Sequence, residues 1–191
     1  MAASRSSQTR AAIHARSEIL TALKDDHKRV KKAFRDFKKL DVHEDPARCE
    51  AIVKQVLDEL TVHAALEEEL LYPAARESLA DNDLIDEAEV EHETLHGLID
   101  QLRRLSPVED KYGARFTVLC EYVLHHVKEE EGEMFPKLEA AQFDWEGLAA
   151  EMGERRAELT GTDAEAGDTR HPAAAAMQRG RASPAPSRAR A

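Results

Sequence analysis

The sequence predicts an all-α protein: an up-down-up-down four-helix bundle with a short extra C-terminal helix and a disordered tail. Three observations carry this. Apolar and histidine positions recur in alternating steps of three and four residues along four successive segments, the seam of a bundle helix. No segment shows the sustained alternation or Asn-Gly turn of a β-hairpin. The chain also repeats itself. His63-Ala-Ala-Leu-Glu67 runs on to Tyr72-Pro73, and His126-Val-Lys-Glu-Glu130 runs on to Phe135-Pro136. In each copy the glutamate follows the histidine by four residues and the proline follows it by ten.

The first helix starts at Ser17, with a stripe of Leu20, Leu23, His27, Val30, Phe34 and Phe37. Residues 1–16 are read as an N-terminal extension. Pro46 opens the second helix, because a proline ring suits the first helical turn. Its stripe is Ile52 or Val53, Val56, Leu60, His63, Glu67 and Leu70, and Pro73 interrupts it. Asp81 or Asn82 caps the third helix. That stripe is Ile85, Ala88, His92, Leu95/His96, Ile99 and Leu102, and Ser106-Pro107 ends it. The fourth helix carries Phe116, Leu119, Val123, His126, Glu130 and Met134, and Pro136 breaks it. Short connections join the four into a bundle over residues 17–140. Residues 141–160 form a short accessory helix, amphipathic from about Trp145 to Leu159 and packed on the outside. Residues 161–191, rich in Ala, Pro and Arg, cannot build a core and are read as disordered.

Charge narrows the partners. The net charge is −11, yet residues 169–191 hold five arginines and no acid; removing that +5 leaves −16 for residues 1–168. Such a domain repels nucleic acid and anionic membrane surfaces, while the basic tail is suited to an acidic partner. There is no apolar run long enough to span a bilayer, and Met1 to Arg16 lacks the apolar stretch of a signal peptide. A cytoplasmic location is therefore expected. Cys49 and Cys120 are too few for a disulfide framework.

The stripes place His27, His63, His92 and His126 on the seams, one per helix, with Glu67 and Glu130 on the same seams. His96 lies one turn after His92. Asp26-His27 and Glu91-His92 precede the two repeats by similar gaps, 36 residues from His27 to His63 and 34 from His92 to His126. Two buried carboxylates without compensation cost several kcal/mol each, and shared metal ions remove that cost. Five imidazoles, two carboxylates and no thiolate exceed one tetrahedral zinc and are too nitrogen-rich for calcium or magnesium. Seven ligands suit two six-coordinate ions bridged by both carboxylates and a solvent-derived oxygen. Iron is the natural candidate, and one position stays open.

Over residues 17–140 the chain resembles the hemerythrin family, in its bacterial HHE cation-binding branch. The resemblance rests on the paired His-x-x-x-Glu segments with their aromatic-proline ends. It implies a metal set of His27, His63, Glu67, His92, His96, His126 and Glu130. It further implies that His92, His96 and His126 complete one iron, while His27 and His63 hold the open one. The best-known hemerythrins place an aspartate five residues after the last histidine. Here His126 to Glu130 is four, and His125 to Glu130 is five. The internal repeat and the stripe select His126; the five-residue spacing selects His125. Glu89-x-x-His92 and Glu93-x-x-His96 mimic a ferritin-like motif, but both copies lie on one helix, where that scheme needs two.

Glu68, Glu69, Glu129, Glu131 and Glu133 read as solvated charge. Tyr72 and Phe135 read as packing residues, and Tyr122 as a candidate pocket phenol. The expected function is a non-haem di-iron protein binding oxygen, nitric oxide or peroxide at the open position, in sensing or protection. A peroxidase- or catalase-like enzyme and an iron-handling or structural metal bundle are the alternatives. Neither the oligomeric state nor a catalytic residue is specified.

Overall fold

A computed structural model describes residues 2–166. The expected tail lies outside the described residues from 167 onward. The elements are α1 (Ala2–Phe37), α2 (Pro46–Leu66), α3 (Tyr72–Ser78), α4 (Asp83–Arg103), α5 (Tyr112–Glu129), α6 (Phe135–Ala140) and α7 (Trp145–Ala166). Among the described residues there is no strand. Helix α1 packs on α2, α2 on α4, α4 on α5 and α5 on α1, which closes a ring of four.

Each helix of the ring is apolar on either side of one polar layer. On α1, Leu20 and Leu23 belong to one cluster and Val30 and Phe34 to another, with Asp26 and His27 between them. On α4, Ile85 and Ala88 lie on one side of Glu91 and His92, and Leu95 and Ile99 on the other. The apolar stripes thus build two cores, and the histidines and glutamates meet where the cores abut. Burying each large apolar side chain contributes roughly 1.5–3 kcal/mol, so packing on both sides can hold an unfavourable polar layer in place.

Three boundaries differ from the sequence reading. Helix α1 begins at Ala2 rather than near Ser17. Ala12 and Ala15 pack in the core of Leu20 and Leu23, with Trp145, Leu148 and Met152 of α7, so the accessory helix gives this part of α1 a surface to cover. Helix α7 itself runs to Ala166, past Leu159.

The third difference concerns the two prolines. Neither ends its helix. A π-helical turn, Glu67–Leu71, joins α2 to α3, and another, Glu130–Met134, joins α5 to α6. The Tyr72 N–H donates to the Glu67 carbonyl, and the Phe135 N–H to the Glu130 carbonyl, each five residues back. Pro73 and Pro136 follow at once. A proline lacks an N–H and its ring crowds the carbonyl of the preceding turn; a wider turn relieves that crowding and lets the chain stay helical. Each wide turn begins at a seam glutamate, and π turns are frequent at functional sites.

Candidate metal centre

Glu67 and Glu130, at the starts of the two π turns, are fully buried between the cores. His27 on α1, His63 on α2, His92 on α4 and His126 on α5 surround them, each at most 5% exposed. One group is His27, His63, Glu67 and Glu130; a second is Glu67, His92 and His126, with all donor atoms of each group within 4.8 Å of one another. The Nε2 atoms of His27 and His63 are 3.1 Å apart, and those of His92 and His126 are 3.0 Å apart. Glu67 Oε2 lies 3.2 Å from His63 Nε2 and 3.7 Å from His92 Nε2. Glu130 Oε2 lies 3.2 Å from His27 Nε2 and 3.5 Å from His126 Nε2. Each carboxylate therefore stands between the two histidine pairs.

The other ring nitrogen of every one of these histidines faces a carboxylate. His27 Nδ1 is 2.9 Å from Glu131, His63 Nδ1 3.3 Å from Asp26, His92 Nδ1 2.7 Å from Glu68, and His126 Nδ1 2.6 Å from Glu91. In a neutral imidazole whose Nδ1–H donates to that carboxylate, Nε2 is left with a lone pair. Two such lone pairs then face each other at about 3 Å. Only a cation or additional protons make that arrangement favourable. Glu67 Oε1 and Glu130 Oε2 are buried without a hydrogen-bond partner; Glu130 Oε2 is near imidazole nitrogens but not aligned with an N–H. Four converging nitrogens and two under-satisfied carboxylates fit a pair of divalent or trivalent ions. Carboxylates behind metal-binding imidazoles fix their tautomer and orientation.

Electrostatics point the same way. Burial pushes the His63 imidazole down, but Glu67, Asp26 and Glu130 outweigh it and raise its pKa to about 10. Burial likewise opposes, and Glu130, Glu91 and Glu67 overcome it, to bring His126 to about 9. Burial favours the neutral form of Glu130, yet His126, His27 and His63 hold it well below the usual carboxylate range. The centre thus attracts positive charge, which protons supply until a metal ion displaces them.

The pairing follows an internal two-fold. Asp26, His27, His63, Glu67 and Glu68 correspond to Glu91, His92, His126, Glu130 and Glu131. In each half the acid before the first histidine holds the second histidine. The acid after the seam glutamate holds the first histidine of the other half. Glu68 and Glu131, read from sequence as solvated charge, are thus supports of the site. Their recurrence at equivalent places in the repeat was the available signal, obscured by the neighbouring Glu69 and Glu129.

His96 stands apart from the cluster. Its side chain is 45% exposed, and Nε2 lies 2.8 Å from Glu68 Oε1. Leu95, 4% exposed, takes the inward position one turn below His92. The residue equivalent to His96 in the other half is Lys31, whose Nζ lies 3.0 Å from Glu131 Oε1. Both side chains secure the outer carboxylates. His125 is also outside, 58% exposed and 3.2 Å from Glu129, so the inward histidine of that pair is His126. Tyr122 is half-buried and does not line the cavity against the imidazoles.

Helix α7 reaches the centre through Arg156. Its guanidinium donates to both oxygens of Asp26, at 2.7 and 3.2 Å, and Asp26 in turn holds His63. A small cavity of about 10 Å³ lies against the four imidazoles, lined also by Val30, Leu60, Leu95 and Val123. That is room for about one water molecule.

The model of the hemerythrin HHE cation binding domain matches residues 18–138. A hemerythrin HHE cation binding domain-containing protein from Mycobacterium kansasii, known from its crystal structure, is 27% identical; the match covers 75% of this chain and 87% of that one, with a TM-score of 0.61. A DNA nickase from Nostoc sp. is 30% identical over 117 residues, 61% of this chain. The chain spans only 32% of the length of that curated relative.

Proposed function

Because the chain belongs to the hemerythrin HHE cation-binding domain family, we propose that it is a non-haem di-iron protein that binds a small ligand such as oxygen, nitric oxide or peroxide. The observation that carries this is the facing of two histidine Nε2 pairs at about 3 Å across two shared, buried carboxylates. His27 and His63 would hold one iron and His92 and His126 the other, with Glu67 and Glu130 bridging. Iron bound there supplies a Lewis-acidic, redox-active position for an exogenous ligand.

The protein's own residues set the class of ligand. The cavity beside the imidazoles admits one water-sized molecule and is walled by valine and leucine, which excludes organic substrates and favours a diatomic. Asp26, Glu68, Glu91 and Glu131 fix the imidazoles, and Asp26 and Glu91 raise the basicity of His63 and His126. The two cores exclude bulk water. Sensing or protection is the role that suits such a domain. The nickase function belongs to the Nostoc protein and is not carried over. The −16 charge of residues 1–168 opposes a DNA backbone.

The test is metal content together with an absorption spectrum of the full chain expressed with sufficient iron. Two irons per chain and a charge-transfer change on adding azide or nitric oxide are expected. A reproducible single ion, or two irons with no response to any small ligand, would refute the reading. Steady consumption of hydrogen peroxide by the iron-loaded chain would instead identify an enzyme.

A further inference from the structure

Across the internal two-fold, Tyr72 in one half corresponds to Phe135 in the other. Both follow their seam glutamate by five residues and both are fully buried. The Phe135 ring stacks parallel to His27 at 6.0 Å and offers no donor. The Tyr72 hydroxyl enters the cluster instead. It lies 3.4 Å from His92 Nε2, 3.5 Å from Glu67 Oε2 and 3.4 Å from Glu130 Oε1.

These distances are long for hydrogen bonds, since O–H···O contacts centre near 2.7–2.8 Å. A buried hydroxyl with three polar neighbours, close to none of them, is poorly satisfied as a hydrogen-bonding group. The distances suit a different arrangement. Adjacent donors of a six-coordinate ion with bonds of about 2.1 Å lie about 3 Å apart. The phenol oxygen is as near to His92 Nε2, Glu67 Oε2 and Glu130 Oε1 as the carboxylate oxygens of this half are to its imidazole nitrogens. The corresponding separations are 3.7 Å for His92 to Glu67 and 3.5 Å for His126 to Glu130.

Resting on the di-iron reading, we propose that Tyr72 is a fifth side-chain ligand, through its phenolate oxygen, of the ion held by His92, His126, Glu67 and Glu130. Its phenolic proton is released to solvent as the ion enters, and nothing is oxidised or reduced. The equivalent place beside the His27/His63 ion is filled by Phe135, which leaves that ion one side chain short. The inequivalence of the two ions thus comes from a Tyr/Phe difference across the two-fold, not from His96. The His27/His63 ion is the position left for a small exogenous ligand.

The experiment is resonance Raman spectroscopy of the full chain loaded with ferric iron, excited in the visible, with iron content measured on the same samples. Tyrosinate ring vibrations are expected in the wild type and are lost in Tyr72→Phe. They persist in Tyr112→Phe/Tyr122→Phe, which leaves Tyr72 as the sole tyrosine of the three. That double variant and the wild type decide the matter even if Tyr72→Phe folds poorly. Two irons without tyrosinate vibrations would overturn the ligand assignment and leave the di-iron reading standing. Vibrations that persist in Tyr72→Phe, or vanish in the double variant, would overturn it too. A wild-type chain that takes up no iron would overturn both.

Discussion

Replacing Glu91 by glutamine tests whether the carboxylates behind the histidines belong to the metal centre. Glu91 is 8% exposed, and its Oε2 lies 2.6 Å from His126 Nδ1. A hydrogen bond with a charged partner at this distance is worth roughly 1.5–3 kcal/mol. Glutamine keeps the shape and an acceptor oxygen but removes the charge that makes the imidazole a stronger donor to metal. Loss of such a partner typically lowers metal affinity 10–100-fold, or about 1.4–2.8 kcal/mol at 1.4 kcal/mol per tenfold. The two ways of reckoning agree. Competition with a chromophoric chelator at pH 7 measures the effect, and it should fall on one ion of the two. Glu93→Gln, on the exposed face of the same helix, serves as the control and should bind metal like the wild type. A Glu91→Gln protein that is folded and holds both ions within twofold of wild-type affinity would refute the supporting role of the four outer carboxylates.

Further outcomes follow from the same geometry. His96→Ala should retain two irons per chain, because its half-exposed ring contacts Glu68 rather than the cluster; loss of one iron by elemental analysis would restore it as a ligand. Metal removal should lower the melting temperature, since ions bound only by the folded chain at 100 times their dissociation constant add about 2.7 kcal/mol each; equal melting of loaded and stripped protein would contradict a shared interior site. In the stripped chain, His63 and His126 titrate near 10 and 9, above their unfolded value. Their contribution to stability is then complete below about pH 6.5 and is lost as pH rises through 9 to 10. Melting followed by circular dichroism should show this decline, while metal affinity should rise with pH because ions displace protons. Phe116→Ala should cost about 3–5 kcal/mol, as this fully buried ring packs edge-on against Phe34 and Phe37 at 5.5 and 4.4 Å; denaturant unfolding measures it.

The repeated spacing in the sequence by itself determined the helical class, the ring of four stripes and the inward direction of His27, His63, Glu67, His92, His126 and Glu130. That information is local: a period of three to four residues says which side of a helix faces the core, and the repeat chooses His126 over His125. Tertiary structure decided what periodicity cannot encode. Asp26 holds His63 rather than its neighbour His27, because adjacent helical residues point about 100° apart and the partner must come from another helix. His96 shares a helix face with His92, yet Leu95 takes the inward place one turn on. The prolines that read as helix ends instead follow wide turns, which relieve the crowding of the preceding turn and let the chain stay helical. Tyr72, a packing residue by sequence, reaches the centre because its π turn aims it there. These outcomes depend on which side chain wins a contested position between helices, a competition settled only when the four helices close around one another.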